Sequence, residues 1–142
     1  MKKLTYCDII NLIHILLGDE LMKILESSEN YLETILMLSN KNGSVRSIDI
    51  VNELDYTKPS ISVAMKKLRE NGYISMDNDG LITLTTTGLD IATKMLARHK
   101  ALTSFLIALG VNEHTAADDA CRIEHVISEE TFNKICDHVT KK

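Results

Sequence analysis

The sequence predicts a mainly α fold, a winged helix-turn-helix carrying a small β-hairpin wing and followed by a second, smaller helical unit. Three observations predict it. Two short amphipathic segments, 48–54 and 57–71, are separated only by a brief turn. The apolar period then switches from helical to two on either side of Asp77-Asn78-Asp79-Gly80, which is the pattern of a hairpin. Helical spacing then returns for the rest of the chain.

Taken in order, residues 4–25 are helix-like but poorly patterned around Gly18, a helix or hairpin that precedes the main fold. Ser27 and Ser28 suit N-caps, and Tyr31, Ile35, Leu36 and Leu38 lay an apolar stripe on a helix ending between Asn40 and Gly43. Ser47 caps a helix over 48–54 whose Ile48, Ile50, Val51 and Leu54 share a face. Thr57 caps the next, with Pro59 in its first turn, where a missing N–H does no harm. Ile61, Ala64, Met65 and Leu68 form its buried side, and Gly72 stops it. After the hairpin, Thr86 or Thr87 caps a long helix bearing Leu89, Ala92, Met95, Leu96, Leu102, Phe105, Leu106 and Leu109, closed by Gly110. Helices over about 113–126 and 129–140 complete the chain.

Composition narrows the function. With 142 residues, 44% hydrophobic and 25% charged, the chain can bury one full core or two small ones. A net charge of −4 excludes a nonspecific nucleic-acid coat, so local charge decides. The widely spaced Cys7, Cys121 and Cys136 are odd in number and fit a reducing, cytoplasmic setting, not a disulfide framework. Lys2 and Lys3 precede an apolar run, but Asp8, Asn11 and His14 interrupt it, so it is read as neither signal peptide nor membrane span.

Across residues 57–71, Lys58, Lys66, Lys67 and Arg69 stand against Glu70 alone, three net positive charges on an acidic chain. A lysine-rich face taken alone is usually just solvated; its place directly before a hairpin is what points to double-stranded DNA. Thr57, Lys58, Pro59, Ser60 and Ser62 give a helix N-terminus slim enough to approach phosphates and thymine methyls, and Lys66 and Lys67 serve phosphates. Val63 stands where a polar base reader would sit, so methyl contacts and DNA shape carry specificity.

In the second unit, Cys121, Glu124 and His125 fall at i, i+3 and i+4, on one helical face. Thiolate, carboxylate and imidazole together suit a first-row divalent ion. His99, between Leu96 and Leu102, and Glu33, with Asn30 one turn before it, are candidates to complete the set. A lone histidine on an apolar stripe is more often a hydrogen-bonded core residue, and a lone cysteine is usually core; the clustering of the triplet is what favours metal. Such a site would tie the two halves together, a switch. A metalloenzyme would need an open coordination position and a general base in a cleft, and no HExxH pattern is present.

These residues resemble the DtxR/MntR family of metal-dependent transcriptional repressors, from Met22 to the C-terminus. The resemblance rests on Ser28-Glu29-Asn30-Tyr31-Leu32-Glu33-Thr34-Ile35, Thr57-Lys58-Pro59-Ser60-Ile61-Ser62, Leu84-Thr85-Thr86-Thr87-Gly88, Arg98-His99, and Asp119-Ala120-Cys121-Arg122-Ile123-Glu124-His125-Val126-Ile127-Ser128. It implies a DNA-binding domain over 22–86, a helical metal-binding and dimerisation domain over 87–142, and residues 1–21 as an extension of a short, two-domain form. It further implies a homodimer that represses metal-uptake genes at a palindromic operator when Fe(II) or Mn(II) is bound, with no membrane and no small-molecule substrate. Family ligand positions map onto Glu33, His99, Cys121, Glu124 and His125, with Asn30 at a further one. Asn30 matches neither branch, Cys121 matches the iron branch and Glu33 the manganese branch. Thr103 and Ala117 replace a carboxylate and a histidine of the ancillary site. A winged-helix protein that has lost metal dependence is the alternative these departures suggest.

Overall fold

A computed structural model describes residues 6–141. Helix α1 runs unbroken over Tyr6–Asn42, 37 residues, so Ser27 and Ser28 lie inside it and cap nothing. A serine cap contributes only about 1 kcal/mol, whereas extending an existing helix through Glu20–Glu26 adds hydrogen bonds with no new nucleation cost. The same continuity absorbs Gly18, whose penalty is only about 1 kcal/mol. The side chains of Cys7 and His14 lie outside those described.

Helix α2 spans Ser47–Leu54. Its cap is Arg46, not Ser47: the Arg46 N–H donates to the Asp49 carboxylate at 2.8 Å, an acid in the first turn meeting the positive helix end. Asp55 ends α2 with φ of 53°, the left-handed conformation that Asp tolerates better than most residues. Helix α3, Lys58–Glu70, begins as expected at Thr57, whose hydroxyl accepts from the Ser60 N–H at 3.3 Å and donates to the Ser60 hydroxyl at 2.8 Å.

Strands β1, Ile74–Met76, and β2, Ile82–Leu84, pair antiparallel with Ile74 opposite Leu84. Asp77 organises the connecting turn, its Oδ1 accepting from the Asp79 and Leu81 N–H groups, both at 2.9 Å. The Ile82 N–H reaches back to the Val45 carbonyl at 2.8 Å, pinning the hairpin to the segment between α1 and α2. Helix α4, Thr86–Ala108, is followed by α5, Glu113–Ile123, and α6, Glu129–Thr140. Two of these helices open on side-chain caps, Asn112 accepting from the His114 N–H at 3.0 Å and Ser128 from the Thr131 N–H at 3.2 Å. Helix α4 closes at Gly110, φ 97°, with the Val111 N–H donating to the Leu106 carbonyl at 3.0 Å, the bonding of a glycine-terminated helix.

The described residues form two compact units. One comprises Ser27–Leu96, with Leu32, Ile35, Leu38, Val45, Ile50, Ile61, Met65, Leu68, Ile74, Ile82 and Ala92 as its buried core. Tyr31 packs edge-on to Tyr56 there at 6.3 Å, and burial, with Tyr56 beside it, raises the Tyr31 phenol above its ordinary pKa. The other unit runs from Ala97 onward with the chain up to Glu26, and buries Arg98, Leu102, Ala116, Ala120 and Glu124. Three apolar residues expected inside are exposed: Ile48, Leu89 and Leu109. Ile48 and Leu89 sit in the first turns of their helices and Leu109 past the end of α4, where ideal helical periodicity no longer decides which side a residue takes. No helix among the described residues is long and apolar enough to cross a membrane.

The start of α4 is tied to the hairpin. Thr85, not Thr86 or Thr87, is the cap: its hydroxyl accepts from the Gly88 N–H at 3.2 Å and donates to the Gly72 carbonyl at 2.7 Å. A Cβ on Gly88 would stand 2.0 Å from the Tyr73 carbonyl oxygen. Gly88→Ala is therefore expected to destabilise the protein by about 2 kcal/mol or more, the scale of overpacking, seen as a lower urea midpoint at unchanged m-value.

Candidate functional site

In the unit containing Ala97 onward, α4 supplies Arg98 and His99, and the end of α5 supplies Glu124 and His125. Helix α5 stops at Ile123, and its next residue, Glu124, closes it through an N–H bond to the Ala120 carbonyl at 2.9 Å. The Val126 and Ile127 N–H groups both fold back onto the Ile123 carbonyl, at 3.0 and 2.9 Å, so residues 124–127 form a tight turn. The helix expected to run to 126 is thus shortened, and His125 lies beyond it.

The Glu124 side chain has no solvent exposure. One carboxylate oxygen is 2.9 Å from His99 Nδ1 and the other 3.3 Å from His125 Nε2. The His125 side chain is only 7% exposed and that of His99 21%. A buried carboxylate is costly unless cations or strong donors face it; His99 bonds one oxygen, while Oε1 and His125 Nε2 meet at 3.3 Å without a hydrogen bond between them. The same three groups present nitrogen and oxygen donors, a set that suits first-row divalent ions.

Arg98 is buried beside this group, 6% exposed. Its Nη1 donates to the carbonyls of Glu124 at 3.1 Å and Ile127 at 3.3 Å, and its guanidinium lies 5.3 Å from the Phe132 ring centroid. Sequence reasoning gave Arg98 no role. The only signal was its place in the Arg98-His99 pair of the resemblance.

The structure thus brings His99, Glu124 and His125 together. Cys121, expected on the same face as Glu124, is exposed on α5. Of the other histidines, His114 pairs with Asp118 at 3.2 Å on the exposed side of α5, and His138 packs edge-on to Phe105 at 6.2 Å.

In the unit Ser27–Leu96, Glu33 is 4% exposed. Asn30 is half-buried, and its backbone carbonyl accepts from the Thr34 hydroxyl at 2.8 Å. The outer face of α3 is polar and open: Thr57, Lys58, Pro59, Ser60, Ser62, Lys66 and Lys67 are all exposed, and Val63 is 55% exposed. Thr57 and Ser60 spend their hydroxyls on each other and on the cap. Lys66 is 3.9 Å from Glu70, with both side chains more than half exposed, an ion pair that contributes little and yields readily to a phosphate. Ser62, Val63, Lys66 and Arg69 of α3 line a shallow depression with Ser47, Met65 and Met76. Ser47 and Arg69 were absent from the expected contact set.

Two family profiles match most of the chain. Residues 23–80 match the iron dependent repressor N-terminal DNA binding domain, and residues 85–141 match the iron dependent repressor metal binding and dimerisation domain. Among curated relatives, an uncharacterised HTH-type transcriptional regulator of Methanocaldococcus jannaschii is 33% identical over 112 residues, covering 78% of this chain and 90% of the relative. The HTH-type transcriptional regulator MntR of Lysinibacillus sphaericus is 31% identical over 113 residues, covering 80% and 81%. A manganese-dependent transcriptional repressor solved in complex with manganese superposes with a TM-score of 0.73 at 25% identity, over 80% of this chain and 52% of that one. This chain therefore spans about half the length of that structure. The basic helix lies within one matched domain and the Glu124 cluster within the other: the chain belongs to the iron-dependent, DtxR/MntR-type family of metal-dependent transcriptional repressors, DNA-binding regulators and not enzymes.

Proposed function

We propose that this chain is a cytoplasmic repressor that binds a palindromic operator as a homodimer when Mn(II) or Fe(II) is bound, and so controls metal-uptake genes. The observation that carries this reading is the fully buried Glu124 carboxylate between two imidazoles, within the stretch that matches a metal-binding domain.

His99, Glu124 and His125 would hold the ion from α4 and the end of α5, and Glu33 is a further candidate donor. Asn30 and Cys121 are the remaining candidate donors. The donor chemistry fits: carboxylate and imidazole dominate, a set that suits Mn(II) and Fe(II). When bound, the ion supplies positive charge that offsets the buried carboxylates.

On the DNA side, α3 would enter the major groove, with Thr57, Lys58, Pro59, Ser60 and Ser62 at the helix start and Lys66 and Lys67 on phosphates. In a dimer two such helices sit about 34 Å apart, one turn of B-DNA. The exposed Val63 offers an apolar surface to thymine methyls, which every base pair containing T presents in the major groove.

Operator duplexes selected from a random pool are expected to bind far more tightly with Mn(II) or Fe(II) than with chelator, and Glu124→Gln should remove most of that response. Binding indifferent to both changes would leave a winged-helix protein without metal control. Lys66→Ala and Lys67→Ala together should lower the slope of log affinity against log salt by roughly 2, at about 0.9 per phosphate contact, while weakening all sequences alike. A slope unchanged in fluorescence anisotropy titrations would remove these lysines from the interface.

A further inference from the structure

We propose that Arg98 is a positioning residue for the metal ligands. It fixes the turn 124–127 so that Glu124 and His125 are held in place before any ion arrives. This rests on the metal reading above.

The geometry is specific. A helix end leaves backbone carbonyls without intrahelical partners, and a cation there is favoured by the helix dipole. Arg98 meets that demand from a neighbouring helix, its Nη1 donating to the Glu124 and Ile127 carbonyls at 3.1 and 3.3 Å, the first and last residues of the turn. The fork is itself held, because the guanidinium lies over the Phe132 ring of α6 at 5.3 Å and is almost fully buried.

Glu124 is consequently gripped at two points by consecutive residues of α4. Arg98 takes its backbone carbonyl, and His99 takes its carboxylate at 2.9 Å. With both ends of the residue fixed, the carboxylate has little freedom to rotate away from the imidazoles. An ion then meets donors already in place and loses less affinity to ordering them. Lysine would keep the charge but not the flat guanidinium that packs over the Phe132 ring and aims Nη1 at the two carbonyls.

The test compares wild type with Arg98→Lys and Arg98→Gln, full chain throughout, since a truncation to alanine risks unfolding. Metal-free hydrogen exchange is read at the Glu124, Val126 and Ile127 amides, with the α5 amide of Ala116 as internal control. Mn(II) affinity is then measured by calorimetry on the same samples. The expected result is selective loss of protection in the turn, Ala116 unchanged, and Mn(II) affinity lower by about tenfold or more, as when an outer partner of a metal ligand is removed. Arg98→Lys should recover little of it. Unchanged protection in the turn, or a loosened turn that still binds Mn(II) like wild type, overturns the proposal. A wild-type chain that takes up no Mn(II) instead overturns the metal reading, and with it the ligand-positioning role, while the exchange arm still reports whether Arg98 holds the turn.

Discussion

A carboxylate taken wholly out of water dominates the energetics of the C-terminal half. Isolated, such a group costs several kcal/mol even after the protein relaxes, and the fold answers with a bond from His99 to one Glu124 oxygen, His125 close to the other, and the Arg98 guanidinium on the Glu124 carbonyl. The end of α5 leaves the Glu124 carbonyl without an intrahelical partner, and Arg98 takes it.

That arrangement explains why the candidate site was only partly legible in the sequence. Glu124, His125 and His99 could be named because imidazole and carboxylate stand out among apolar neighbours at helical intervals. Helical spacing put Cys121 on one face with Glu124 and His125; in the structure Cys121 is exposed and Glu124 is buried. The stop of α5 at Ile123 has a local signal in Ser128, whose hydroxyl caps α6, and a long-range companion in the bond from Arg98. Arg98 stood out only as half of the Arg98-His99 pair in the resemblance, and its partners lie 26 and 29 residues away.

The DNA-binding half was more readable because its determinants are local. Thr57 with Pro59, the Asp77–Gly80 turn and the Ile61, Met65 and Leu68 stripe each act within a few residues, and each appears as expected. The exceptions also have local causes that sequence pattern weighs poorly. Ser27 and Ser28 lost to propagation of α1, and the caps at Arg46 and Thr85 each fall one residue ahead of the expected ones, since only backbone geometry settles which of two adjacent residues leaves the helix.

The contact of Gly88 with Tyr73 carries a mechanical implication. With the glycine face laid against a carbonyl at the root of β1, and the Thr85 hydroxyl bridging Gly72 to the first turn of α4, there is no slack between the long helix and the base of the wing. A tilt of α4 at that end cannot be absorbed by sliding; the hairpin must swing with it, as a pointer follows its shaft.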